Sequence, residues 1–232
     1  MRLQHFLALA GVASRRQSEK LMLAGHVRVN GNTARELGTK VDPLSDVVEL
    51  DGKRVQIEKK FYVLLNKPRG YLSSVGDARG RRTVSELVAD IPARLYPVGR
   101  LDMDTDGVLL MTNDGELCHR LTHPRFEVEK TYHAEVEGTP SREAMEDLQR
   151  GVVIDGVRTS PARARILRSS EDRSLLEITV HEGRKRQVKR MCETVGHPVA
   201  RLTRVRFGDI GLGSLEPGQH RLLSDAEVAG LL

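Results

Sequence analysis

Cysteine is almost missing from this chain. The two that occur in 232 residues, Cys118 and Cys192, lie far apart with no CxxC or histidine-rich spacing. That excludes a disulfide framework and a conventional zinc site, and leaves both as small core residues. Long apolar runs are missing too: none approaches the roughly 20 residues of a membrane-spanning helix. The opening MRLQHFLALAG is too short and interrupted for a secretory leader. The expected setting is cytoplasmic, with no membrane partner. There is no GxGxxG or Walker-type glycine loop, so a nucleotide cofactor loses support. No internal repeat or low-complexity tract is found.

What is present is charge, unevenly placed. The net +5 conceals two basic blocks: residues 1–41 hold seven Lys/Arg against two acids, and residues 181–206 hold eight against two. The remainder is acidic by six charges. Two separated basic surfaces on an otherwise acidic chain point to a polyanion, with nucleic acid foremost.

With 39% apolar and 30% charged residues, the chain has material for one substantial core and a small appended domain. The first segment reads as two short helices and a hairpin. Leu3, Phe6, Leu7 and Ala10 recur at helical spacing and Gly11 closes that helix; Ser14 and Gln17 then start a second helix through a capping box, ending at Gly25. In HVRVNG, Val27 and Val29 alternate, and Asn30-Gly31 offers the positive-φ pair of a type I′ turn. Arg15, Arg16 and Lys20 sit on the second helix and Arg28 on the strand face opposite the valines, so basic groups can surround one RNA-sized surface. DGKRVQIEKK, residues 51–60, reads as a polar linker. From Phe61 onward, FYVLLN, VLLMTN, TYHAEVEG and LLEITV have strand composition, whereas TVSELVADI, GELCHRLTH and RKRQVKRMCETVG read as helices. Strands dominate without regular β-α-β alternation, which gives an α+β class.

Three stretches could carry chemistry. GRLDMDTDGVLLMTNDG spaces Asp102, Asp104 and Asp106 two apart and follows with Gly107, like the first half of an EF-hand loop. The twelfth position falls on Asn113 rather than a glutamate, and Val108 to Met111 read as a buried strand, so the calcium reading fails. Solvated turn caps, a metal-holding nuclease pair and a carboxylate nucleophile stay open, although the further acid cluster of a two-metal nuclease is missing. A carboxylate beside Arg100 is kept ionised, and a fixed ionised carboxylate is a usable nucleophile. In HEGRKRQVKRMCETVG, Val188, Met191, Cys192 and Val195 form an apolar helical stripe closed by Gly196, with Arg184-Lys185-Arg186 in the first turn. Cations there oppose the helix dipole unless an anion binds, so the segment is either a phosphate site or a solvated basic face. In EKTYHAEVEG, Tyr132 shares a strand face with Ala134 and Val136. It is a core residue or, beside a pocket, a ring to stack on a base and a hydroxyl to move a proton.

The pattern SRR…L…AG.V.VNG over about the first 50 residues resembles the small RNA-binding domain named after bacterial ribosomal protein S-four. Nearly the whole chain resembles the bacterial ribosomal RNA pseudouridine synthases of the RsuA/RluB branch. The resemblance rests on four motifs in order: LNKPRGYLSS with Lys67, Pro68 and Gly70, then GRLDMDTDGVLLMTNDG, EKTYHAEVEG and EGRKRQVKRM. Val108 and Met111 depart from the family's commoner residues by volume-tolerant swaps.

That resemblance implies an S-four-like domain at 1–50, a linker at 51–60 and a mostly antiparallel-sheet catalytic domain with flanking helices at 61–232. Asp102 would be the nucleophile toward a flipped-out uridine. Tyr132 would stack on the base and assist proton removal at carbon 5, and Lys189 would pair with Asp102. Arg15, Arg16, Lys20 and Arg28 would grip RNA at the N-terminus. Lys67, Arg100, Arg184, Lys185, Arg186 and Arg190 would do so near the site; Asp104 and Asp106 receive no role. No cofactor or metal is implied, because isomerisation neither adds nor removes atoms. The implied partner is ribosomal RNA, 23S ahead of 16S given GVASRRQSEKLMLAGHVRVNG, free or within a pre-ribosomal particle. A noncatalytic ribosome-assembly factor is the alternative class, and no heptad run calls for more than a monomer.

Two weak grips on one chain raise each other's effective concentration. Deleting residues 1–50 is therefore expected to weaken RNA binding while the remainder folds. Filter binding on the full chain should show affinity falling by orders of magnitude between about 50 and 200 mM salt.

Overall fold

The computed structural model describes residues 1–231, which divide into two compact units. The first gathers Met1–Phe61 with Asp90–Leu95 and Thr112–Gly115; the second takes Tyr62–Ala89, Tyr96–Met111 and the chain from Glu116 onward.

In the first unit, helices α1 (Leu3–Leu9) and α2 (Arg15–Ala24) precede strands β1 (Val27–Val29), β2 (Asn32–Thr33), β3 (Val48–Leu50) and β4 (Lys53–Arg54). The strands form one antiparallel sheet in the order β2-β1-β3-β4. The expected signals operate here. The Ser14 hydroxyl accepts from the Gln17 amide at 3.3 Å, and α2 ends on a left-handed Gly25. Asn30 and Gly31 both have positive φ and turn β1 into β2. Leu3, Phe6, Leu7, Met22, Val27, Val41 and Val48 are buried together, each side chain contributing about 1.5–3 kcal/mol.

The linker expected at 51–60 begins later. Asp51 and Gly52, at φ 49° and 78°, make a second tight turn that returns Lys53–Arg54 onto β3. A cut after residue 50 would bisect that hairpin, so the separable segment extends past Arg54.

Apart from Thr112 and Gly115, which fall in the first, the second unit runs β5 (Tyr62–Lys67), a 3-10 turn (Val84–Val88), β6 (Tyr96–Pro97), β7 (Asp106–Thr112), α3 (Gly115–Thr122) and a further 3-10 turn (Pro124–Phe126). It continues with β8 (Lys130–Glu137), α4 (Arg142–Arg150), β9 (Val153–Ile154), β10 (Val157–Arg158), β11 (Arg163–Ser169) and β12 (Arg173–Val180). Last come α5 (Gln187–Thr194), β13 (Val199–Phe207), β14 (Ile210–Gly211), β15 (His220–Leu222) and α6 (Asp225–Leu231). The main sheet has nine strands, seven in the order β11-β12-β8-β13-β7-β5-β15 with β14 paired to β13 and β6 to β7. β8 pairs antiparallel with β12 along its whole length and with β13 through two register shifts, whereas β13 and β7 run parallel. One apolar cluster packs α4 and α5 against β8, β12 and β13; another joins β5, β7, α3 and α6 with Phe207 and Ile210. β7 is buried at all seven positions, hence its continuous apolar run in place of alternation.

Two expected helices differ. TVSELVADI keeps its Thr83–Glu86 capping box but winds only a 3-10 turn. α5 starts at Gln187 rather than Arg184, because the Gln187 side chain accepts from the Arg184 amide and donates to Glu182 while Arg186 adopts a left-handed φ of 53°. The three cations thus precede the helix in a turn instead of riding on its first turn.

Gly107 resolves the calcium-like pattern in structural terms. At φ 110° it lies opposite Arg204 on the neighbouring parallel strand, and a Cβ there would sit 2.8 Å from the Arg204 nitrogen and closer still to its carbonyl oxygen. The glycine lets β7 and β13 meet. Gly107→Ala should cost about 3 kcal/mol or more, read as a lowered urea midpoint or failure to fold.

Candidate active site

The carboxylate run sits on a turn built by hydrogen bonds from distant residues. Lys67, fully buried at the end of β5, donates from Nζ to the carbonyls of Pro68 (3.1 Å), Asp102 (3.1 Å) and Thr105 (2.8 Å). Burial pushes its ammonium down to about 8, opposed by the nearby Asp106, Asp104 and Asp102. The Ser73 hydroxyl donates to the Leu101 carbonyl and accepts from the Leu101 amide, and the Gly70 amide donates to the Met103 carbonyl at 2.7 Å. The motif LNKPRGYLSS therefore shapes the loop that carries Asp102. Lys67 was expected to contact RNA; enclosed as it is, it holds protein backbone instead.

The three carboxylates then part company. Asp106 is buried and takes Arg201 at 3.1 Å, Arg69 at 3.5 Å and a hydrogen bond from the Thr203 hydroxyl. Asp104 takes the Lys189 ammonium at 2.6 Å and Arg186 at 3.7 Å, and the Lys189 hydrogen bond holds its carboxyl below the ordinary range. Lys189 was expected on Asp102, but it emerges from α5 beside the second carboxylate of the run. Among the described residues the Asp102 side chain has no hydrogen-bonding or ionic partner; it is half-buried and faces a cleft of about 820 Å³.

Tyr132 lines the same cleft from β8, packed against the first apolar cluster and flanked in register by Ile178 and Arg204. Arg100, Lys185 and Arg186 are exposed cations along it. Arg184 also lines the cleft, but its guanidinium is engaged by the Val157 and Arg158 carbonyls and by Glu182. Arg190 is committed to a bidentate pair with Asp155. Both had been expected to bind RNA. Arg15, Arg16, Lys20 and Arg28 are all exposed in the first unit.

Lys130 and Arg204 lie in the cleft without having been singled out from sequence. Burial, then the neighbouring Arg204, pushes the Lys130 ammonium down to about 8. Cys192 is a core thiol pushed up to about 12 by burial, and Cys118 is half-buried against the second cluster. Among the described residues no three carboxylate, imidazole or thiol groups converge as metal ligands.

Residues 61–194 match the family described as RNA pseudouridylate synthase, and residues 1–48 match the S4 domain. The chain belongs to the RNA pseudouridylate synthase family. The synthase is 48% identical to an RNA pseudouridine synthase of Aquifex aeolicus (strain VF5), across 100% of this chain and 93% of that protein. It is 45% identical to ribosomal large subunit pseudouridine synthase B of Bacillus subtilis (strain 168), across 99% and 95%. A crystal structure of a pseudouridylate synthase shares its fold with a TM-score of 0.72 at 31% identity, each chain covering the other fully. The α+β class, the N-terminal S4 domain and the sheet-rich catalytic domain are as the sequence indicated. As a pseudouridine synthase the protein is an isomerase acting on RNA. Among the described residues no helix is long and apolar enough to cross a membrane.

The shift on Lys130 has a measurable sign. Its folded value, about 8, lies below the ordinary 10.5; between these pH values the unfolded chain holds a proton that the folded synthase does not, and stability rises with pH. Urea melts from pH 7 to about 10 should show wild type gaining on a Lys130→Met variant. A lysine whose folded value stayed at or above 10.5 would show no such gain across this range.

Proposed function

We propose that the synthase converts a uridine of large-subunit, 23S ribosomal RNA to pseudouridine, with Asp102 as nucleophile. The carrying observation is that, among the described residues, Asp102 alone of its run is unpaired, and it lines the same cleft as Tyr132. A carboxylate fixed by its backbone but free at its oxygens can attack C1′ of an extruded nucleoside, a fitting use of a cleft this size. The bond from C1′ to N1 breaks, the base turns while held, and C5 takes the place of N1 as the carboxylate leaves. Tyr132 supplies the face on which the base stacks and a hydroxyl near the C5 proton. Lys189 clamps Asp104 and so fixes the turn.

The large-subunit assignment is supported by the name of the Bacillus subtilis relative. The exposed cations Arg100, Lys185 and Arg186 would meet phosphates around the target, and the S4 domain, through Arg15, Arg16, Lys20 and Arg28, would hold the RNA elsewhere. We place the enzyme's work in the cytoplasm, as a monomer on its RNA.

Asp102→Asn should keep RNA affinity within about threefold while abolishing tritium release from 23S transcripts carrying uridine labelled at carbon 5. Residual turnover near wild type would remove Asp102 from the chemistry. Release from 16S but not 23S transcripts would move the substrate.

A further inference from the structure

Arg204 is only 2% exposed, yet its guanidinium is incompletely used. Nε donates to the Val108 carbonyl at 2.7 Å and the planar group lies 5.0 Å from the Phe207 ring centre, but among the described residues the enclosed Nη2 has no partner. Lys130 approaches the same ring at 5.7 Å and donates only to the carbonyls of Val128 and His181. Among the described residues neither cation has a carboxylate partner. Buried cations elsewhere in this unit are balanced: Lys67 has three carbonyls and a field of aspartates, and Lys189 has Asp104. A buried N–H left unpaired beside a second cation is costly unless something binds there. Both residues line the cleft with Asp102 and Tyr132, and Arg204 is the register neighbour of Tyr132.

Resting on the functional reading above, we propose that Arg204 and Lys130 form an oxygen-binding subsite for a carbonyl of the extruded uracil. It would hold the negative charge that the base acquires on leaving the ribose. Depth selects the base over phosphate: RNA phosphates stay with the backbone and meet the exposed Arg100, Lys185 and Arg186, whereas only an extruded base reaches an enclosed guanidinium. When C1′–N1 breaks, its electron pair departs with N1 and spreads over O2 and O4, while a carboxylate oxygen of Asp102 bonds to C1′. After the base turns, C5 attacks C1′ and the carboxylate is released; the C5 proton then passes to solvent by way of the Tyr132 hydroxyl while N1 takes a proton from solvent, so that the ring is restored and no atoms are gained or lost. Donors aimed at O2 or O4 bind the anionic base more tightly than neutral uracil, so they lower the barrier more than they raise affinity.

The test uses the full-length synthase and in vitro transcripts labelled at carbon 5, containing uridine, 2-thiouridine or 4-thiouridine; sulfur accepts hydrogen bonds weakly. Arg204→Lys, melting like wild type, should lose about 100-fold in kcat with RNA Kd changed less than about threefold. Because Arg204 also holds the Val108 carbonyl, wild type is tested directly: one of the two thio-transcripts should slow it at least tenfold. The same thio substitution should not slow Arg204→Lys further. If wild type turns over all three transcripts equally, or if native-like Arg204→Lys keeps its kcat, the subsite is overturned while the function stands. A loss confined to Kd would assign Arg204 to phosphate and also overturn it. Absence of wild-type turnover on unmodified 23S and 16S transcripts would overturn the functional reading and the subsite with it.

Discussion

A single ammonium, that of Lys67, reaches from the end of β5 into the turn after Leu101 and ties three carbonyls to one point. The turn has no regular hydrogen-bond ladder of its own, so its shape is set by what it is tied to. Burying the charge is unfavourable, as the depressed ammonium shows, and the surrounding aspartates offset that cost. The acidic run and the buried lysine are therefore one device. Two carboxylates take up cations and balance charge, and the third is left with its backbone fixed and its oxygens free.

Much of this was legible in residue types. Ser14, Gly25 and Asn30-Gly31 each ask for one local geometry and receive it. Asp102 and Tyr132 were recognisable as a pair of motifs, and they share a cleft. The partner of Lys189 was not legible: a helical position gives a direction for a side chain, and carboxylates two residues apart on a turn are nearly interchangeable at that range. Lys67 misled for a related reason, since a lysine between Asn66 and Pro68 gives no sign that its amine turns inward.

Strand β13 was missed altogether. VARLTRVRF carries arginine at three positions, and a half-buried strand should show polar residues only on its open face. Arg204 breaks that rule from the buried side, beside Leu202, and two register shifts disturb the alternation further. Local rules fail most often where a site needs an unfavourable residue, and Arg204 is such a place. α4 carries a clearer signal, a Ser141 cap ahead of Met145 and Leu148 on one helical face.

The far side of the sheet ends on β11, whose outer backbone has no neighbouring strand among the described residues. An open margin of that kind is a template onto which another chain could hydrogen-bond. This one bears Arg163, Arg165 and Arg168, the first two steadied by Glu129 and Glu177, and its register slips between Ile166 and Arg168. Like charges and a kinked ladder make a poor landing place for a foreign strand, so the nine-stranded sheet carries its own guard against growing into an aggregate.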